Sequence, residues 1–144
     1  KSRSKGDKML DCLILGDSIA VGTHQFKKEC VEYAKGGINS WQYNKQYVKD
    51  RKYDFGAEVV LISLGSNDHA GVKTYNELYK LRERVKAQRV YWVLPNPEKF
   101  PKQAEDVKLI SVTFGDFVIK PTRYQPDQVH PSWAGYKQIS EEAQ

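Results

Sequence analysis

Cysteine and histidine are scarce in this chain, and long apolar runs are missing altogether. Cys12 and Cys30 are the two cysteines among 144 residues, too few for the disulfide framework of a small secreted scaffold. Neighbouring strands could bring them together, but two reduced, partly buried thiols are the expectation. No Cys-x-x-Cys, zinc-ligand spacing, EF-hand or phosphate-binding loop occurs, so neither a metal nor a cofactor is expected. No apolar run approaches the ~20 residues that cross a bilayer, so no membrane span is expected. The chain starts at Lys1 with no signal-peptide pattern. A non-Met start leaves room for a removed upstream segment, so localisation stays open. There is no internal repeat, low-complexity tract or linker.

What is present suffices for one domain. Of the 144 residues, 40% are apolar and 12% aromatic, which supports a real core. Residues 1–8 are polar and charged and read as a flexible tail; residues 9–144 read as a single domain. The net charge of +5 could attract an acidic partner such as an anionic glycan, cell wall or nucleic acid. Its spread along the chain reads more simply as a solvated basic surface. Without a recognition motif, no specific nucleic-acid binding is expected.

Apolar runs and breakers alternate. Met9–Leu15, Cys30–Ala34, Ala57–Leu64, Arg89–Leu94 and Val107–Val112 read as strands. Helices are expected over Ser18–Phe26, over Ser40–Val48 with Ser40 as N-cap, over Thr74 to about Gln88 with a Thr74/Glu77 capping box, and from an N-cap at Ser132 towards Ala143. Such alternation implies an α/β fold with a mostly parallel sheet and helices on both faces.

Three polar motifs sit at the ends of these elements. Gly16-Asp17-Ser18 follows the first strand, Gly65-Ser66-Asn67-Asp68 follows the third, and Asp127-Gln128-Val129-His130 precedes the last helix. A serine, a histidine, a nearby acid and an asparagine are the parts needed for acyl transfer by a nucleophilic serine. Ser18 needs a base to become nucleophilic. Imidazole suits both proton acceptance and return, so His130 is the candidate base. Asp127, three residues earlier, could orient it. Each residue has a plainer reading: Ser18 as a helix cap, Asp127 as a turn residue after Pro126, Asn67 as an Asx turn.

Together with Gly36-Gly37, these blocks resemble the SGNH hydrolases, or GDSL-type esterases, over nearly the whole chain. Their joint order and setting carry the resemblance, since each alone recurs by chance. It implies a flavodoxin-like three-layer α/β/α sandwich on a five-stranded parallel sheet. It also implies a catalytic set of Ser18, Asp127 and His130, and an oxyanion hole formed by Ser18, Gly37 (Gly36 as fallback) and Asn67. Asp17, Gly36, Trp41, His69 and Trp133 are candidate substrate contacts, with core packing the alternative for the tryptophans. Asp17 and Asp68 are expected to hold the motif loops by hydrogen bonds.

One departure stands out. The family keeps a fuller helix before the fifth strand, whereas here only Glu98–Asp106 is available, interrupted by Pro101. A compact version with an open, shallow site is therefore expected. The implied substrates range over acetylesterases, lipases and thioesterases. Lacking an apolar loop to wrap a fatty chain, this chain reads as an esterase for short acyl groups, especially O-acetyl on a glycan. The alternatives are a lipase, thioesterase or acyltransferase of the same family, or a non-catalytic glycan-binding module.

Overall fold

The computed structural model describes residues 9–144; the tail expected over 1–8 lies outside the described residues. The elements run β1 (Leu10–Gly16), α1 (Ser18–His24), β2 (Val31–Ala34) and α2 (Ser40–Tyr43), which passes directly into a π-helical turn (Asn44–Val48). Then follow β3 (Ala57–Ser63), α3 (Thr74–Arg84), β4 (Arg89–Val93), α4 (Pro101–Phe114), β5 (Phe117–Ile119) and α5 (Trp133–Glu142). The strands form one sheet in the order β2-β1-β3-β4-β5, and all pairs are parallel. This is the doubly wound, flavodoxin-like order, which gathers functional groups at the carboxyl ends of its strands.

The apolar strand runs are explained by burial on both faces. Leu13, Leu15, Val60, Ile62 and Trp92 pack on one side with Leu78, Leu81, Ala104, Val107 and Ile110, the inner residues of α3 and α4. Ile14, Leu61 and Val93 point the other way, against Ile19, Ala20 and Ile139 of α1 and α5. Residue alternation along each strand thus builds two cores, and the sandwich has three layers.

The expected strand at Val107–Val112 is instead the second half of α4. Its β-branched residues suggest a strand, but Ala104, Val107, Ile110 and Ser111 form a buried helical stripe. Leu109 and Val112 face outward, with Val112 77% exposed. Pro101 does not interrupt the helix: it occupies the first turn, where a missing N–H costs nothing. The fourth crossover helix therefore has 14 residues, and the shortened crossover expected from the sequence is corrected. The true β5 is the three-residue Phe117–Ile119.

Two caps also differ from expectation. Asn39, not Ser40, caps α2, in a capping box with Gln42. At α3 the Thr74/Glu77 box does not form. Thr74 Oγ1 donates instead to Asp68 Oδ2 at 2.8 Å, and the Glu77 carboxylate accepts from Asn44 Nδ2 at 2.7 Å. Tertiary partners outcompete the local cap in both residues.

Cys12 and Cys30 form a disulfide, correcting the expectation of reduced thiols. The parallel register pairs Leu13 with Val31, so the residues one step earlier face each other, with Cα atoms 4.8 Å apart. The bridge closes a loop that contains all of α1. Cross-linking over this separation of 18 residues stabilises a fold by about 3 kcal/mol. Reduction should lower the unfolding free energy by that order, read from urea denaturation with and without reductant. Coincident curves would contradict it.

Candidate active site

The site begins at the exit of β1. Gly16 adopts φ +137°, and any side chain there would collide with the Ser63 carbonyl of β3, so this approach of two strands requires glycine. The Asp17 N–H donates to that carbonyl at 3.0 Å. Asp17 is fully buried. Its Oδ1 accepts from the Ile19 N–H at 3.0 Å and from Ser63 Oγ at 3.1 Å, which makes Asp17, not Ser18, the N-cap of α1. Ser18 is thereby the first helical residue, with a backbone N–H that has no intrahelical acceptor and a hydroxyl free for another partner.

That partner is His130. Ser18 Oγ lies 2.8 Å from His130 Nε2, and His130 Nδ1 lies 2.7 Å from Asp127 Oδ2. The other Asp127 oxygen accepts the backbone N–H groups of Val129 at 2.9 Å and His130 at 3.0 Å. These hydrogen bonds, led by the imidazole, hold the Asp127 carboxyl well below the usual carboxylate range. An ionised Asp127 can only accept, so Nδ1 carries the proton, Nε2 is the acceptor, and Ser18 Oγ donates to it. This is the polarity a general base needs.

The third part is a turn after β2. The Ile38 N–H closes it on the Lys35 carbonyl at 3.4 Å, with Gly37 at φ +79°, a conformation glycine adopts without strain. A methyl built on Gly36 would sit 3.8 Å from Ser18 Cβ, whereas nothing lies within 4 Å of one on Gly37. Proximity thus favours Gly36 as the glycine beside Ser18. Asn67 Nδ2 donates to the Ile38 carbonyl at 3.1 Å, which ties the asparagine to the same turn and leaves its second N–H to spare. The four motif blocks converge on one spot at the carboxyl edge of the sheet.

The remaining candidates divide. Asp17 is a correction: complete burial keeps it from substrate, and it acts by shaping the β1–α1 corner. Asp68 accepts from the Ser40 N–H at 2.8 Å and from Thr74, bracing the asparagine loop. Trp41 is exposed, with Lys45 Nζ 4.5 Å above its ring. Trp133 is 69% exposed and meets Phe26 edge-on. His69 is exposed and accepts from the Gly71 N–H. The hydrogen bond and ring contacts of these three are thus made to Gly71, Lys45 and Phe26, not to Ser18 or His130.

Sequence reasoning missed two supports of the histidine loop. Gln128 is the one non-glycine residue with positive φ (60°) among the described residues, a conformation that costs energy unless its surroundings enforce it. Buried Asn96 donates through Nδ2 to the Gln128 carbonyl at 2.8 Å, and Lys99 Nζ donates to the Asp127 carbonyl at 3.1 Å. Prolines flank Asn96 on both sides in the sequence and mark a loop, but nothing local shows that it reaches across to residue 128. Tyr136, behind the site, has its phenol pushed up to about 12 by burial and the nearby Asp17 and Asp127, so it remains a neutral neighbour.

Burial pushes the Asp17 carboxyl up to about 7, and its Oδ2 has no hydrogen-bond partner. The unfolded chain ionises such a group near pH ~4. The folded state binds the proton more tightly, so this contribution to stability is full below that pH and is lost as pH rises towards about 7. Asp17→Asn keeps a capping oxygen without the charge. Its melting temperature should exceed that of wild type at pH 8, with the difference shrinking to nothing by pH 4. A difference independent of pH would contradict the buried-carboxyl account.

No family profile and no curated relative matches this sequence, but solved structures do match its fold. A GDSL-like lipase from Bacteroides thetaiotaomicron superposes with a TM-score of 0.68 at 15% identity, covering 92% of this chain and 84% of that one. A member of the lipolytic G-D-S-L family from Veillonella parvula gives 0.61 at 14% identity, covering 92% and 95%. The catalytic domain of peptidoglycan O-acetyltransferase A from Streptococcus pneumoniae gives 0.59 at 15% identity, covering 92% and 89%. With a five-stranded parallel sheet in flavodoxin-like order, the chain has the three-layer α/β/α fold of the GDSL-type, or SGNH, hydrolases.

Proposed function

We propose that this chain is a serine esterase that removes short acyl groups, above all O-acetyl groups from a glycan. The carrying observation is the continuous relay from Asp127 through His130 to Ser18, at 2.7 and 2.8 Å, beside a glycine turn and Asn67. Ser18 Oγ attacks the acyl carbonyl carbon while His130 Nε2 takes its proton. The Ser18 N–H, an N–H of the Gly36-Gly37 turn and Asn67 Nδ2 donate to the developing oxyanion. Asp127 holds the tautomer and stabilises the imidazolium without taking its proton. The C–O bond to the alcohol breaks, the alcohol leaves with the proton from His130, and water then releases the acid from Ser18 by the same route.

Short acyl groups are favoured by the openness of the site. The side chains of His130 and Asp127 are 35% and 45% exposed, and the cleft at the neighbouring Gly36-Gly37 turn has Lys35, Gln42 and Gln46 in its lining, a poor match for a fatty chain. That same exposure favours water over a second alcohol as acyl acceptor. The disulfide supports work outside a reducing compartment, as on an envelope or extracellular polysaccharide. No helix among the described residues is long and apolar enough to cross a membrane, which fits action on a substrate met in water.

Hydrolysis of p-nitrophenyl acetate should exceed that of the butyrate and octanoate esters. Ser18→Ala should abolish it, with kcat falling by at least about 10³-fold. Equal, negligible rates for both proteins would sink the esterase reading. Asn96→Ala frees the loop that carries His130, and a displacement of about 1 Å costs roughly 10²-fold. Its kcat should fall by about that factor with KM nearly unchanged. A rise in KM at constant kcat would show instead that Asn96 serves substrate binding.

A further inference from the structure

A cleft of about 310 Å³ opens beside the Gly36-Gly37 turn, lined by Lys35, Gly36, Gly37, Ile38, Gln42 and Gln46. A methyl built on Gly36 would lie 3.8 Å from Ser18 Cβ, so the cleft shares with the nucleophile the turn that follows β2. Its size falls at the small end of the usual range for ligand pockets, about 300–1,000 Å³, and suits a single sugar ring. We infer that this cleft is a subsite for a carboxylate-bearing sugar, adjoining the acylated residue of the glycan.

The lining is rich in donors and contains no carboxylate. The Lys35 backbone N–H is anchored on the Gly16 carbonyl at 2.9 Å, which fixes the base of a side chain that is exposed and has no ion-pair partner among the described residues. Gln42 Oε1 accepts from the Asn39 N–H at 2.9 Å, which fixes its amide so that the NH₂ group, a donor only, faces the surroundings. Gln46, four residues further on, brings a second amide to the same lining. Tyr43 and Tyr47 stack at 4.6 Å beneath the sheet-facing side, and their hydroxyls donate to the carbonyls of Tyr33 and Ala34 at 2.6 and 3.4 Å. With those two residues turned inward, Gln42 and Gln46 line the cleft. The π-helical turn carries Gln46, and such turns recur at functional sites. An ammonium, side-chain amides and turn N–H groups with no opposing acid make a site for an anionic, acceptor-rich group. A carboxylate accepts charge-assisted hydrogen bonds from the ammonium and the side-chain amides, beside the turn N–H that serves the oxyanion.

This inference rests on the glycan-esterase reading for its substrate, but binding can be measured without turnover. Unacetylated trigalacturonate carries a carboxylate on each ring, and its methyl ester replaces each with a neutral ester that adds one methyl group. Titrating each into the isotope-labelled wild-type protein by NMR should show the acid binding at least about tenfold more tightly. The shifts should centre on the backbone amides of residues 35–38 and the side-chain amides of Gln42 and Gln46. Lys35→Ala should bring the acid down to the affinity of the ester, whereas Lys108→Ala, on the distant α4, should leave the difference intact. Equal binding of acid and ester, shifts elsewhere, or an unchanged preference in Lys35→Ala would each overturn the subsite. Turnover of p-nitrophenyl acetate reports separately on the esterase reading, so the two can fail independently.

Discussion

The 2.8 Å contact between Ser18 and His130 spans 112 residues of sequence, and the rest of the structure depends on keeping it. Neither residue can find the other locally. Ser18 leaves the sheet at the carboxyl end of β1, near the middle of the strand order, and His130 arrives from the long connection between β5 and α5. Only a parallel sheet with all crossovers in place brings these two loops to the same edge. The fold's cost in loop entropy is met by the two apolar cores, and the site inherits the rigidity of both.

The supports of the contact are layered. On the serine side, Gly16 lets β1 lie against Ser63, buried Asp17 caps α1, and the Cys12–Cys30 bridge encloses the whole α1 segment. Charge burial at Asp17 works against stability at neutral pH, so the corner keeps an acid where a neutral residue would be more comfortable. On the histidine side, a left-handed Gln128 is held through its carbonyl by Asn96, while two backbone N–H groups fix the aspartate. A donor-rich turn and cleft complete the third side. Each support acts on geometry more than on the bond-making atoms, consistent with catalysis by positioned donors and acceptors.

Much of this was legible in the sequence because it depends on local pattern. The runs Met9–Leu15 and Ala57–Leu64 announce buried strands, and the polar motifs directly after them mark loop ends. Ser132 caps α5 as its spacing suggests. Several failures share one cause: tertiary contacts outweighed local preference, whereas the Ser40 cap was lost to a local box between Asn39 and Gln42. Val107–Val112 has strand-like residues, yet its inward stripe follows helical spacing against the sheet. Thr74 and Glu77 match a cap but are claimed by Asp68 and Asn44. The cysteine pairing depends on the β1–β2 register, which spacing along the chain does not reveal, and Asn96 reaches a carbonyl 32 residues away.

The central claim is that Ser18 becomes covalently acylated during turnover. Rapid-quench mass spectrometry after mixing with p-nitrophenyl acetate tests it directly. The account predicts one added acetyl group on the peptide containing Ser18, formed within the first turnover and decaying at the rate of acetate release. An unmodified Ser18 throughout the reaction, with ester consumed at the same rate, would contradict it.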